Sequence, residues 1–151
     1  MSLEKQINED IKACMLARDK DTLEALRAVK AAILLEKSAK GNPSDTLTEE
    51  VELKLLQKLV KQRKESAEVY RQKNRLDLEN VELFQAQVIE KYLPSQMGKE
   101  ELTEKIKGII VECGAKDARD MGKVMGIATK QFAGKADNKI VSEIVKLLLS
   151  T

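Results

Sequence analysis

The chain has 151 residues, with 27 Lys and Arg against 25 Asp and Glu, two cysteines, two prolines, seven glycines, and neither histidine nor tryptophan. Without histidine there is no Ser-His-Asp or Cys-His nucleophile system and no His-bearing zinc site, so any chemistry falls to carboxylate, lysine or tyrosine. At 34% charged, 42% hydrophobic and 3% aromatic residues, the Lys/Glu/Leu/Ala mixture favours helices and offers strands little of what they prefer, so an all-α fold is predicted.

Ser2 is placed to cap a first helix whose Leu3, Ile7, Ile11 and Cys14 share a face, ending near Arg18. Asp21-Thr22-Leu23-Glu24 has the reciprocal capping pattern and opens a second helix through Lys40, after which Gly41 supplies a left-handed stop and Asn42-Pro43-Ser44-Asp45 a turn. Thr46-Leu47-Thr48-Glu49 reads as another capping box, and from Glu49 to about Lys73 nothing interrupts what is predicted to be the longest helix. Asp77 caps a fourth helix with Leu78, Val81, Gln85, Val88 and Tyr92 on one face; Leu93-Pro94 stops it, because a residue before proline avoids helical geometry. Pro94 to Gly98 is the expected linker, dividing an amino-terminal domain of about four helices, 1–93, from a small three-helix domain, 99–151.

In the second domain Leu102, Ile106, Ile109 and Cys113 line the first helix, which Gly114 closes. Asp117 caps the next, with Met121, Val124, Met125, Ala128 and Phe132 in one stripe. Gly134-Lys135-Ala136 turns the chain, and Asp137 opens the last helix, with Ile140, Ile144, Val145 and Leu148 inward. Cys14 and Cys113 have no second Cys or His beside them and follow no basic, apolar leader, so reduced core thiols in a cytoplasmic protein are expected. The longest apolar run, Ala31 to Leu35, is far short of the ~20 residues of a membrane helix, so a soluble protein without a membrane partner is expected.

Charge is unevenly placed. Residues 1–98 balance 17 basic against 17 acidic groups, whereas residues 99–151 carry 10 against 8. Within residues 114–139, six basic groups (Lys116, Arg119, Lys123, Lys130, Lys135, Lys139) face three acidic ones (Asp117, Asp120, Asp137), the best electrostatic candidate for an anionic partner. No known nucleotide loop is present, since Gly122-Lys123 is followed by Val124 rather than Ser or Thr and no strand precedes it. No cofactor and no metal site are expected.

Gly122 and Gly126 lie one helical turn apart, and each costs about 1 kcal/mol relative to alanine in a helix interior. At 100° per residue they fall opposite the Met121/Val124/Met125/Ala128 stripe, beside Lys123 and Lys130. Two readings follow: an outside ligand approaches the bare backbone, or a neighbouring helix of the same chain packs closely on it. In the long helix Arg63 falls within the arc of Leu56, Leu59, Ala67 and Tyr70, and in the second helix Lys30 sits among Leu23, Leu26 and Ile33 with Arg27 at the edge. Arg27, Lys30, Arg63 and Tyr70 therefore mark either structural pairing, with Glu82 a candidate carboxylate, or an anion site. The stripe of Lys61, Lys64, Arg71 and Arg75 also carries Glu68 and reads as a solvated face, while the few aromatics lie on core arcs and form no stacking platform.

The run from Asp120 through Gly126, then Gly134-Lys135-Ala136-Asp137, then Val141 through Leu148, resembles the tail domain of GatB, the tRNA-handling subunit of the glutamine-dependent aminoacyl-tRNA amidotransferase. The amino-terminal half resembles the stand-alone YqeY family, through Leu26 to Ile33, Lys61 to Ser66 with Tyr70, and Tyr92 to Met97. The resemblance covers essentially the whole chain. It implies a helical module akin to one that touches tRNA, with Gly122, Lys123, Gly126, Lys130 and Lys135 as RNA-binding residues, and a possible amidotransferase or other translation-related protein as partner. The resemblance also implies that acyl activation and glutamine hydrolysis reside in parts this chain has no room for, so no catalytic residue is assigned. The expected function is that of a tRNA-binding accessory; the alternatives are a carbon–nitrogen ligase with glutamine as amide donor, acting within a complex, and a protein-interaction module.

Overall fold

In the computed structural model, which describes residues 2–41 and 46–150, Ser2 accepts the Lys5 N–H (3.3 Å) and starts helix α1, Leu3–Ala17. Arg18 then turns left-handed (φ 58°) and its N–H closes back on the Cys14 and Met15 carbonyls. That closure leaves Asp19, not Asp21, in position to cap the next helix: Asp19 Oδ1 accepts the Thr22 N–H (3.2 Å), and α2 spans Lys20–Ala39. Gly41 is left-handed (φ 83°) as expected, and the proposed turn at 42–45 lies outside the described residues. Thr48 rather than Thr46 caps α3, Glu49–Gln72, accepting the Val51 N–H (3.3 Å). At 24 residues it is the longest of the described helices.

The fourth helix departs from its expected cap for the same reason as the second. Asn74 adopts φ 57° and the Arg75 N–H closes on the Tyr70 carbonyl (2.8 Å), so Arg75 becomes the cap residue of α4, Leu76–Glu90. Asp77 sits in the first turn and is held by the Arg75 guanidinium at 3.3 Å. The inward face keeps Gln85, Val88 and Tyr92 as expected but loses Val81. Gln85, Ala86, Val88 and Ile89 are buried while Val81 is 50% exposed, because α4 packs on both α2 and α3 and is covered over an arc centred near Ile89.

The chain divides into two compact units, Met1–Leu93 and Pro94–Thr151. In the first, two helical hairpins, α1–α2 and α3–α4, enclose a core of Ile7, Ala25, Leu26, Val29, Ile33, Leu56, Ala86 and Ile89. Each fully buried Val, Leu or Ile side chain of this set contributes about 1.5–3 kcal/mol. Tyr92, just beyond α4, packs on the core and donates its hydroxyl hydrogen to the Asp10 carboxylate. Burial, then this bond and the Asp10 charge, push the Tyr92 phenol above its ordinary value.

The second unit contains α5 (Lys99–Cys113), a 3-10 turn (Ala118–Asp120), α6 (Met121–Gln131) and α7 (Asn138–Leu149) around Leu102, Ile106, Val124, Ala128, Phe132, Val141 and Val145. Gly114 (φ 70°) ends α5, Asp117 caps the 3-10 turn rather than α6 itself, and Asp137 caps α7. In α7 the buried residues are Val141, Ile144, Val145 and Leu149; Ile140, expected inward, is 43% exposed because it falls just outside the arc these four define. Residues 94–98 are tied into this unit. The Met97 N–H donates to the Lys135 carbonyl (2.9 Å), the Gln96 side-chain amide to the Gly134 carbonyl (2.7 Å), and Met97 packs on the core. Among the described residues there is no strand, and no helix is long and apolar enough to cross a membrane.

Candidate functional site

Helix α6 buries one face and leaves the other to solvent. Val124, Ala128 and the following Phe132 are buried, with Met121 and Met125 partly so. On the opposite face Gly122, Lys123, Gly126, Ile127, Lys130 and Gln131 line an open groove of about 640 Å³. A methyl group added at Gly122 or Gly126 would meet no atom within 4 Å. Within the second unit no neighbouring helix packs closely on the glycine ridge, which is bare backbone there.

Charge on this face is one-sided, because α6 carries Lys123 and Lys130 and no carboxylate. The three acidic residues of the surrounding segment are engaged with their own turns. Asp117 accepts the Arg119 N–H (2.9 Å), Asp120 the Lys116 N–H (2.8 Å) and Asp137 the Lys139 N–H (2.9 Å). The Lys116 N–H holds Asp120 below the usual carboxylate range, with the charges of Lys123 and Lys116 adding to it. Asp117 and Asp137 act as caps and Asp120 closes the preceding turn, while Lys116, Lys123, Lys130, Lys135 and Lys139 are exposed.

Four of the five residues assigned to RNA from the sequence, Gly122, Lys123, Gly126 and Lys130, thus lie together. Lys135 is exposed in the turn beyond α6 and does not line the groove. Ile127 and Gln131 were missed. They sit five and nine residues after Gly122, on the same outward stripe, and a search by charge and glycine alone passes over them. Ile127, 40% exposed, gives the groove an apolar floor.

Arg27, Lys30, Arg63 and Tyr70 differ in exposure and partners. Arg63, with a side chain 24% exposed, pairs with Glu82 at 3.5 Å, the partner anticipated from the sequence, and its buried Nε lacks a hydrogen-bond partner. The depression beside it is lined by Gln62, Arg63, Glu65, Ser66 and Val69, without the other three. Arg27 is exposed; Lys30 and Tyr70 are half-buried. The most deeply buried cation is instead Lys37, whose ammonium meets Glu4 at 2.7 Å. It extends the Leu26, Val29, Ile33 stripe by one turn, and that spacing was its signal. The stripe of Lys61, Lys64, Arg71 and Arg75 is an exposed face, on which Lys64 meets Glu90 (2.6 Å) and Arg75, at the cap of α4, meets Asp77. Cys14 and Cys113 are partly buried free thiols, and burial followed by Asp19 and Asp10 raises the Cys14 thiol above its ordinary value. Among the described residues no group of three or more Cys, Asp or Glu is placed to hold a metal ion.

An all-helical protein of two units, the second bearing a glycine ridge flanked by lysines, is the class these features define. A family model described as "Yqey-like protein" matches residues 4–149, and the chain belongs to the YqeY family. It is 30% identical over 146 residues to altered inheritance of mitochondria protein 41, mitochondrial, of Pyrenophora tritici-repentis, an alignment spanning 93% of this chain and 77% of that protein. A protein of the same name from Clavispora lusitaniae is 32% identical over 121 residues, 78% of this chain and 68% of its own length. Both relatives are named as mitochondrial, so the cytoplasmic placement stays an expectation.

Proposed function

We propose that this YqeY-family protein is a non-catalytic accessory that binds tRNA through the outward face of α6, with Lys123 and Lys130 on phosphates and Lys135 at the margin. The observation that carries the reading is the open ridge: two glycines in a helix, neither packed on anything, between lysines and without a carboxylate on the same helix. A bare backbone lets a bulky polyanion approach closely. Lysine supplies non-directional charge suited to recognition of folded RNA by shape, for which no aromatic platform is required. The resemblance of this segment to the GatB tail supports the same partner.

The test is direct binding of labelled tRNA at low salt, with Gly126→Leu as the diagnostic variant and Gly108→Leu as its control. Gly108 lies on α5 of the same unit, and a side chain there also meets nothing within 4 Å. Gly126→Leu adds bulk without altering charge and is expected to abolish most of the binding, whereas Gly108→Leu leaves it intact. A parent chain that fails to bind tRNA rejects the reading; equal binding by both variants moves the site off α6.

A further inference from the structure

The first unit has a groove of different chemistry. The first two turns of α2 and the outer flank of α4 enclose about 320 Å³ lined by Asp21, Glu24, Asn80, Val81, Phe84 and Gln85. Val81 and Phe84 present apolar surface there at 50% and 40% exposure, although both lie on a helix that buries its neighbours Gln85, Ala86 and Val88. None of the lining residues is a cation. Helix α4 itself carries Asp77, Glu79, Glu82 and Glu90 and no lysine or arginine.

Gln85 adds a second, independent feature. It is 7% exposed and contributes to the lining of the groove. A side-chain amide that lines a groove offers a donor and an acceptor side by side, the complement of a peptide unit.

We propose that this groove docks a short basic and apolar peptide segment of a partner protein. An apolar side chain of the segment seats on Val81 and Phe84, its Lys or Arg residues face Asp21 and Glu24, and a backbone amide pairs with Gln85. Charge complementarity chooses this occupant: the carboxylates disfavour nucleic acid, and a purely apolar ligand would leave them unpaired. The assignment is independent of tRNA binding, which the first unit's groove does not serve.

The probe is a fluorescein-labelled amphipathic Leu/Lys peptide, with the matching Leu/Glu peptide as control, titrated into the full chain. Amide and Gln85 side-chain resonances are followed by NMR. The Leu/Lys peptide is expected to bind in a salt-sensitive manner and to shift the Gln85 side-chain amide together with the backbone signals of Asp21, Glu24 and Phe84; the Leu/Glu peptide does not bind. Phe84→Ala and Asp21→Asn/Glu24→Gln should each weaken binding by roughly tenfold, as for central contacts of a small interface. Both alter exposed positions and leave the fold intact, and Glu100→Gln/Glu101→Gln on α5 should have no effect. Absence of binding, equal affinity for the groove variants, or shifts confined elsewhere would overturn the proposal. So would self-association that the groove variants abolish without any peptide binding, which would assign the groove to a second copy of the chain.

Discussion

Replacing Gly126 with alanine should make the protein more stable. The residue lies in the interior of α6, its φ is not among the positive ones, and an added methyl group meets no atom within 4 Å. Nothing in the folded state opposes the substitution, while alanine loses less backbone entropy on folding, so a gain of about 1 kcal/mol is expected. Gly108→Ala, mid-helix in α5 and equally open, should gain a similar amount. Gly122→Ala lies in the first turn of α6, where helix propensity counts for less, and should gain a few tenths of that. For a domain of this size about 1 kcal/mol corresponds to roughly 4–8 °C in Tm. The assay is urea and thermal unfolding by circular dichroism, reading a shift in midpoint at constant m-value. Destabilisation by Gly126→Ala of more than about 0.5 kcal/mol would refute the reasoning, because it would mean that the ridge is covered in solution.

Glu4→Gln should cost about 2–3 kcal/mol, below the full penalty for breaking a buried pair, because Lys37 is left buried without its carboxylate while Glu4 itself retains contact with water; the double variant Lys37→Met/Glu4→Leu should recover most of it in the same urea assay. Breaking the Arg63–Glu82 pair from either side strands a charge with little access to water, so Arg63→Met and Glu82→Gln should each cost about 1–3 kcal/mol, and the double variant Arg63→Met/Glu82→Leu should recover most of it. Tyr92→Phe should cost about 1–2 kcal/mol at neutral pH, the scale of a hydrogen bond to a charged acceptor. Because folding raises the Tyr92 phenol above its ordinary 10.0, its contribution is fully present below that pH and is lost as pH rises toward the folded-state value; the variant should lack this alkaline decline in stability.

The all-helical class and most helix bounds were legible because apolar spacing and capping residues agree with one another, as at Ser2, Gly114 and Asp137. The caps misplaced by the sequence reading, Asp19 for Asp21 and Arg75 for Asp77, follow left-handed residues that are not glycine, Arg18 and Asn74. Arg18 carries no local signal of this, whereas Asn74 is of a residue type that tolerates the left-handed region. The phase of α4 was legible at Gln85 and Val88 but misplaced at one edge, because Glu82 lies on the covered arc while Val81 and Phe84 stay outside. Hydrophobicity therefore pointed to the wrong edge of the helix. At the site, the glycine spacing and the lysines were readable, but whether the ridge was packed or open depends on which elements surround α6, and periodicity cannot supply that. Lys37 was missed because a lysine at the end of an apolar stripe ordinarily extends its ammonium to water, and here Glu4 from α1 intercepts it.

The salt dependence of tRNA binding tests the central claim most directly. Each lysine–phosphate contact releases about one counterion, so removing one should flatten the slope of log affinity against log salt by about 0.7–0.9. Lys123→Ala/Lys130→Ala, which removes both groove lysines, should therefore bind tRNA more weakly with a slope shallower by about 1.4–1.8 than the parent's, and adding Lys135→Ala should flatten it further. An unchanged slope in a double variant whose circular dichroism shows an intact fold would contradict the account.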